Sequence, residues 1–83
     1  MTEALILIEI EAKGVVERVM NELGEMEEVE SVAFITGPYD IMAIVTGDIH
    51  KIITKIREIE GVKDTTTNII IAEHIKKGLE KKI

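Results

Sequence analysis

The chain has 83 residues, 46% of them hydrophobic, with a formal net charge of −6 and no cysteine. That length serves one small domain and not two, and the missing cysteines exclude disulfides, thiolate metal sites and cysteine nucleophiles. The acidic balance disfavours nucleic acid, whose binding relies on Lys and Arg against phosphate, and an aromatic content of 2% leaves no platform for base stacking.

In chain order, Ala4 to Glu11 (ALILIEIE) keeps its even positions apolar through Ile10, while its odd positions pass from Leu5 and Leu7 to Glu9 and Glu11. This predicts a strand with one fully buried and one partly buried face. Val15, Val16, Val19, Met20 and Leu23 then recur at helical spacing, with Glu17, Arg18, Asn21 and Glu22 opposite. Gly24 and the acidic EMEEVE close that helix, and VESVAFIT, Val29 to Thr36, reads as a second strand. Gly37-Pro38-Tyr39-Asp40 has the residues of a turn. Ile41 to Val45 is apolar on both faces, as a central strand should be. Asp48 is the expected N-cap of a helix whose stripe is Ile49, Ile52, Ile53, Ile56 and Ile59. Gly61 ends it, and VKDTTTNIIIAE is a β-branched final strand.

The halves repeat. Val16, Val19, Met20, Leu23, Met26 and Val29 match Ile49, Ile52, Ile53, Ile56, Ile59 and Val62, each pair 33 positions apart. Two such βαβ units predict an α+β, ferredoxin-like βαββαβ plait. Right-handed crossovers put both helices on one face of a four-stranded antiparallel sheet, in the order 4-1-3-2. Leu5, Leu7, Ile41 to Val45 and Ile69 to Ile71 send apolar side chains to both faces. An apolar face of that size is rarely left open in a soluble monomer, so a homodimer packed through the open sheet faces is expected.

Chemistry is sparse along the chain. His50 and His74 have no ligand-type neighbour at metal spacing, and are expected at a helix turn and in solvent. Ser31 is the only serine, so no nucleophilic triad can be assembled. ITGPYD lacks the further glycines and the lysine of a phosphate loop. No metal, no cofactor and no enzymatic activity are therefore expected. The apolar runs are far shorter than the roughly 20 residues of a membrane span, and the N-terminus lacks a basic region and a cleavage site. A cytoplasmic protein without membrane contact is the expectation, and abundant Ile, Glu and Lys with no Gln suggests a thermophilic source. One domain over 1–75 is expected, followed by a short basic tail over 76–83.

Two polar clusters remain: Thr36-Gly37-Pro38-Tyr39-Asp40, and Asp64-Thr65-Thr66-Thr67-Asn68. Each has a plain structural reading. The first is a turn in which Asp40 accepts a backbone N–H, and the second a run of high β-propensity at a sheet edge.

At TGPYDIMAIVTGD and IREIEGVKDTTTNIIIAEHIKK the chain resembles the C-terminal ligand-sensing (RAM) domain of the Lrp/AsnC family of transcription regulators. The resemblance runs from the first strand to about Lys77 and rests on the T-G-x-Y-D turn and on I-x-G-V followed by T-x-T. It implies a dimeric α+β barrel arrangement in which sheets pack face to face, with dimers assembling further into rings, often octamers. It also implies that amino-acid effectors bind between dimers. Residue by residue, the family turn falls on Thr36, Gly37, Tyr39 and Asp40, and the final-strand motif on Thr65 and Thr67. With Thr66 and Asn68 these form the expected ligand-binding set. A free amino acid needs an anionic acceptor for its ammonium group, which Asp40 can be. Its carboxylate needs donors such as the Gly37 backbone and the threonine hydroxyls, and Ile69 and Ile70 can wall an apolar pocket. Pro38 removes one backbone donor.

Full-length members carry a winged helix-turn-helix ahead of this module, whereas here the first strand starts within a few residues of Met1. The resemblance is to the stand-alone version, expected to make no direct contact with nucleic acid and to act through partners, full-length Lrp/AsnC regulators among them. Three other readings differ in class. A dimeric α+β barrel enzyme needs a polar constellation inside the sheet cavity, and none is found. An ACT-like regulatory module places a glycine after the first strand, near where Gly14 lies, but leaves TGPYD unexplained. A purely structural oligomerisation unit binds no ligand.

Overall fold

A computed structural model describes residues 2–74. The expected basic tail, 76–83, lies outside the described residues. The elements are β1 (Thr2–Ile10), a 3-10 turn (Lys13–Val15), α1 (Val16–Gly24), β2 (Val29–Phe34), β3 (Ile41–Gly47), α2 (Ile49–Arg57) and β4 (Val62–Ile69). The four strands form one antiparallel sheet in the order β2-β3-β1-β4. This is the α+β, ferredoxin-like plait that the repeat predicts, with the two most apolar strands in the centre.

The period-2 pattern of the central strands decides where the core lies. Ala4, Ile6, Ile8 and Ile10 of β1 and Ile41, Ala43 and Val45 of β3 are buried, together with Val19 and Leu23 of α1 and Ile52 and Ile56 of α2. Each fully buried Ile or Leu contributes about 1.5–3 kcal/mol over its exposed state. The alternate residues form the other face, where Leu5 stands opposite Ile44 and Leu7 opposite Met42. These four are only half-buried, because both helices pack on the opposite side.

The repeat extends to the ends of the helices. α1 and α2 each have 9 residues. Their C-caps, Glu25 and Glu58, share nearly the same backbone angles, φ −82 and ψ −12 against φ −82 and ψ −11. The two exits are also alike: Met26 N–H donates to the Leu23 carbonyl at 3.1 Å, and Ile59 N–H to the Ile56 carbonyl at 3.1 Å. Their N-termini differ. Asp48 caps α2 by accepting from the Lys51 N–H at 3.3 Å, as its residue type predicts. α1 has Val15 in that place with no side-chain bond, and the preceding 3-10 turn leads into the helix instead.

Gly61 turns the chain from α2 into β4 at φ +101, where its carbonyl accepts from Glu11 N–H at 2.8 Å. Lys55 Nζ lies 2.7 Å from Glu28 Oε2 and ties α2 to the loop before β2. The hydrogen bond from Lys55 holds the Glu28 carboxyl below its ordinary value, and the same bond raises the Lys55 ammonium.

Both edge strands stop short of their sequence patterns. β2 ends at Phe34 and not at Thr36, although Ile35 N–H still donates to the Asp40 carbonyl at 2.9 Å. β4 ends at Ile69, with one further bond from Ile70 N–H to the Glu3 carbonyl at 2.8 Å. β-Branched residues favour extended backbone beyond this point, but the paired register ends with Ile69 opposite Ala4, although β1 itself runs on to Thr2.

Candidate functional site

The hinge between β2 and β3 is built around Asp40. Its N–H donates to the Ile8 carbonyl at 3.0 Å, its carbonyl accepts from Ile35 at 2.9 Å, and its carboxylate Oδ2 accepts from Ile10 N–H at 2.9 Å. The last bond satisfies a backbone donor at the end of β1, just where the pairing with β3 runs out at Ile41. The carboxylate thus has a structural partner through one oxygen, with Oδ1 outside that bond.

The tip of the hinge is open. Thr36, Gly37 and Pro38 are exposed, Gly37 adopts φ +115, and nothing lies within 4 Å of where a Cβ would sit on it. Glycine is the residue that takes this conformation without strain, and the empty space around it leaves its backbone approachable.

Tyr39 joins the two polar clusters. Its hydroxyl is 2.7 Å from Thr66 Oγ1, across β1 and partly buried. Thr66 pairs with Leu7 and Asn68 with Leu5, so both belong to the open face. Thr65 and Thr67 pair with Ile8 and Ile6 and belong to the helix-bearing face, where Thr65 Oγ1 accepts from Arg57 Nε of α2 at 3.2 Å. Within one chain, then, Tyr39, Asp40 and Thr66 come together, Thr36 and Gly37 flank them at the tip, and Thr65 and Thr67 lie through the sheet. Asn68 lies further along β4, away from the hinge.

Ile69 pairs with Ala4, four positions along β1 from Ile8 and the hinge, or roughly 13 Å at strand rise. Ile69 and Ile70 therefore wall no pocket beside the hinge within a single chain. Sequence reasoning did not anticipate Leu7 and Ile10, which complete the hinge environment from β1. Their signal was the alternation of ALILIEIE, which becomes informative only once the register with β3 and β4 is known. Among the described residues, no group of three or more His, Cys, Asp or Glu is placed to hold a metal ion. No helix of the described residues is long and apolar enough to cross a membrane.

A one-sided βαββαβ sheet, with a polar hinge hydrogen-bonded across to the final strand, defines the chain as a ferredoxin-like α+β module. Residues 3–79 match the model of the Lrp/AsnC ligand binding domain, and the chain belongs to that family. A comparison with curated proteins finds no match. Among solved structures, FFRP-DM1 is 34% identical with a TM-score of 0.80, the alignment covering 86% of this chain and 100% of that one. A hypothetical protein from Pyrococcus horikoshii is 35% identical with a TM-score of 0.78, over 89% of this chain and 94% of that one. A feast or famine regulatory protein from M. tuberculosis, complexed with L-methionine, shares the fold at 20% identity and a TM-score of 0.78, over 94% of this chain and 55% of that one.

Proposed function

We propose that this chain is an amino-acid-sensing and oligomerisation module of the Lrp/AsnC family that relays effector binding to partner proteins, full-length regulators among them. In this reading it is neither an enzyme nor a DNA-binding protein, and works in the cytoplasm. The observation that carries the reading is the Tyr39–Thr66 hydroxyl pair at 2.7 Å, which brings the two polar clusters of the family motif into one place on the open face.

Asp40 supplies the anionic acceptor for an effector ammonium through Oδ1, while Oδ2 stays on Ile10 N–H. The exposed Gly37 backbone and the Thr36 hydroxyl offer donors for the effector carboxylate. Thr65 and Thr67, on the far side of the sheet, contribute only through a neighbouring copy. The M. tuberculosis relative complexed with L-methionine supports an amino acid as the ligand class.

The half-buried Leu5, Leu7, Met42 and Ile44 support a dimer through the open sheet faces. A net charge of −6 supports action through protein partners over direct contact with phosphates. Thermal-shift screening against the twenty amino acids, followed by calorimetry on any that stabilise the protein, tests the effector class. A titration of operator DNA at physiological salt tests the rest. Specific, competitor-resistant retention of DNA contradicts the proposal.

A further inference from the structure

The open face of the sheet is apolar in its middle and acidic at one end. Leu5, Leu7, Met42 and Ile44 hold the middle. At the end away from the hinge, Glu3 of β1 stands opposite Thr46 of β3, whose hydroxyl donates to Glu30 of β2. One polar row thus crosses three adjacent strands. Glu73, beyond the end of β4, adds its charge beside Glu3 and is followed by the exposed His74. Glu28, just before β2, is turned to its ion pair with Lys55. Among the described residues, Glu3, Glu30 and Glu73 make no ion pair. Partial burial raises the Glu3 carboxyl above its ordinary value. The charges of Glu73 and Glu30 and a hydrogen bond with Glu30 push it the same way.

Glu3 is two residues from Leu5 along β1, and Thr46 two from Ile44 along β3, about 7 Å at strand rise. A second copy that covers the apolar middle therefore comes within a Debye length of the row, about 8 Å at physiological salt. Its low-dielectric surface displaces water from the carboxylates, which disfavours their charged form. Neither orientation of the two copies supplies a free cation. With like ends together, the row faces its own counterpart. With opposite ends together it faces Glu9, which already lies 3.7 Å from Lys63, and Asp64, which lies 3.6 Å from Arg57.

Given the dimer through the open faces proposed above, we propose that the Glu3–Thr46–Glu30 row makes this assembly proton-linked, so that two copies associate more tightly as pH falls. Association raises the carboxyl pKa, so the dimer binds more protons than two separate chains. The penalty is fully present above the carboxyl's value in the assembly and is relieved as pH falls through it. Acid thus strengthens the pairing with no effector bound.

Sedimentation equilibrium of the full chain with fluorescence detection reads the dimer constant at low concentration. From about pH 7.5 to about pH 5.5 the wild-type dissociation constant should fall by about tenfold, the value of a one-unit shift in one carboxyl. The Glu3→Gln, Glu30→Gln double variant keeps an acceptor for Thr46 and should dimerise with the same, tighter constant at both pH values. A Glu58→Gln, Glu60→Gln control has the same charge change at the end of α2 and should keep the wild-type dependence. His74→Gln should keep it too. Survival of the dependence in the row variant, or its loss in either control, overturns the proposal. A wild-type dimer whose constant ignores pH overturns the proton linkage and leaves the interface in place. A chain that is monomeric at both pH values overturns the dimer itself, and mass alone tells these two failures apart.

Discussion

The hydroxyl of Tyr39 lies 2.7 Å from that of Thr66, a pair 27 residues apart in sequence that spans β1 on the open face of the sheet. Neither residue is in the hydrophobic core, and each alone reads as turn or edge-strand chemistry. Together with the Asp40 carboxylate on Ile10 N–H at 2.9 Å, the pair fastens the hinge to both β1 and β4. A neutral, partly buried bond of this kind is worth about 0.5–1.5 kcal/mol. Tyr39→Phe should lower stability by that amount, read from the urea midpoint. Adding Thr66→Val should cost less than the sum of the two single changes, because both remove one bond. Strict additivity means the bond does not form in solution.

The two faces of β3 should respond differently to charge. Val45 is fully buried against the helices, so Val45→Lys places an unpaired ammonium in the core and should abolish folding. Ile44 points to the open face opposite Leu5 and has solvent on its side in a single chain. Ile44→Lys should leave the helical signal in circular dichroism and halve the mass found by light scattering. A folded Ile44→Lys protein with wild-type mass contradicts assembly through this face.

Gly61 and Gly37 both have positive φ, yet differ in surroundings. A Cβ on Gly61 meets Val15 Cγ2 at 3.0 Å and Arg18 Nη2 at 3.1 Å, whereas one on Gly37 meets nothing within 4 Å. Gly37→Ala should therefore cost only the backbone term, about 1–2 kcal/mol. Gly61→Ala should cost more, because its Cβ also crowds the start of α1. Denaturant melts of the two variants compare them directly, and equal costs mean that α1 yields freely.

The ion pair between Lys55 and Glu28 has a definite pH signature. The Glu28 carboxyl is held below 4.5, so its contribution to stability is present above that unfolded value and is lost as pH falls through the folded one. Lys55 is raised above 10.5, so its contribution is present below that value and lost as pH rises through the folded one. Lys55→Gln should destabilise the protein at about pH 7 and by less at about pH 3, because protonation of Glu28 weakens the wild-type pair as pH falls. Urea melts at the two pH values measure this, and an equal deficit at both contradicts the pairing.

The repeat made the architecture legible. Its offset predicts two helices of matching length and exit, and the structure has them at Val16–Gly24 and Ile49–Arg57. The ends of the edge strands were not legible, because β-propensity at Ile35 or Ile70 carries no information about where the ladder pairing stops. The candidate site was half legible. Its residue types stand out at TGPYD and DTTTN, but strand alternation splits the threonines between two faces, and only the pairing of Thr66 with Leu7 shows which one meets Tyr39. Asp40 also carries more structure than its turn chemistry implied, since its acceptor role at Ile10 depends on a contact 30 residues away.

Calorimetric titration of wild type and Asp40→Asn with each amino acid that raises the melting temperature tests the central claim most directly. Asparagine keeps an oxygen for Ile10 N–H but removes the charge, so fold and assembly should be unchanged. Binding should weaken by about ten- to hundredfold, the value of one charge-assisted contact of about 1.5–3 kcal/mol. Equal affinity in the two proteins, or no amino acid bound by wild type, contradicts the account and leaves the hinge as a turn held by its own backbone.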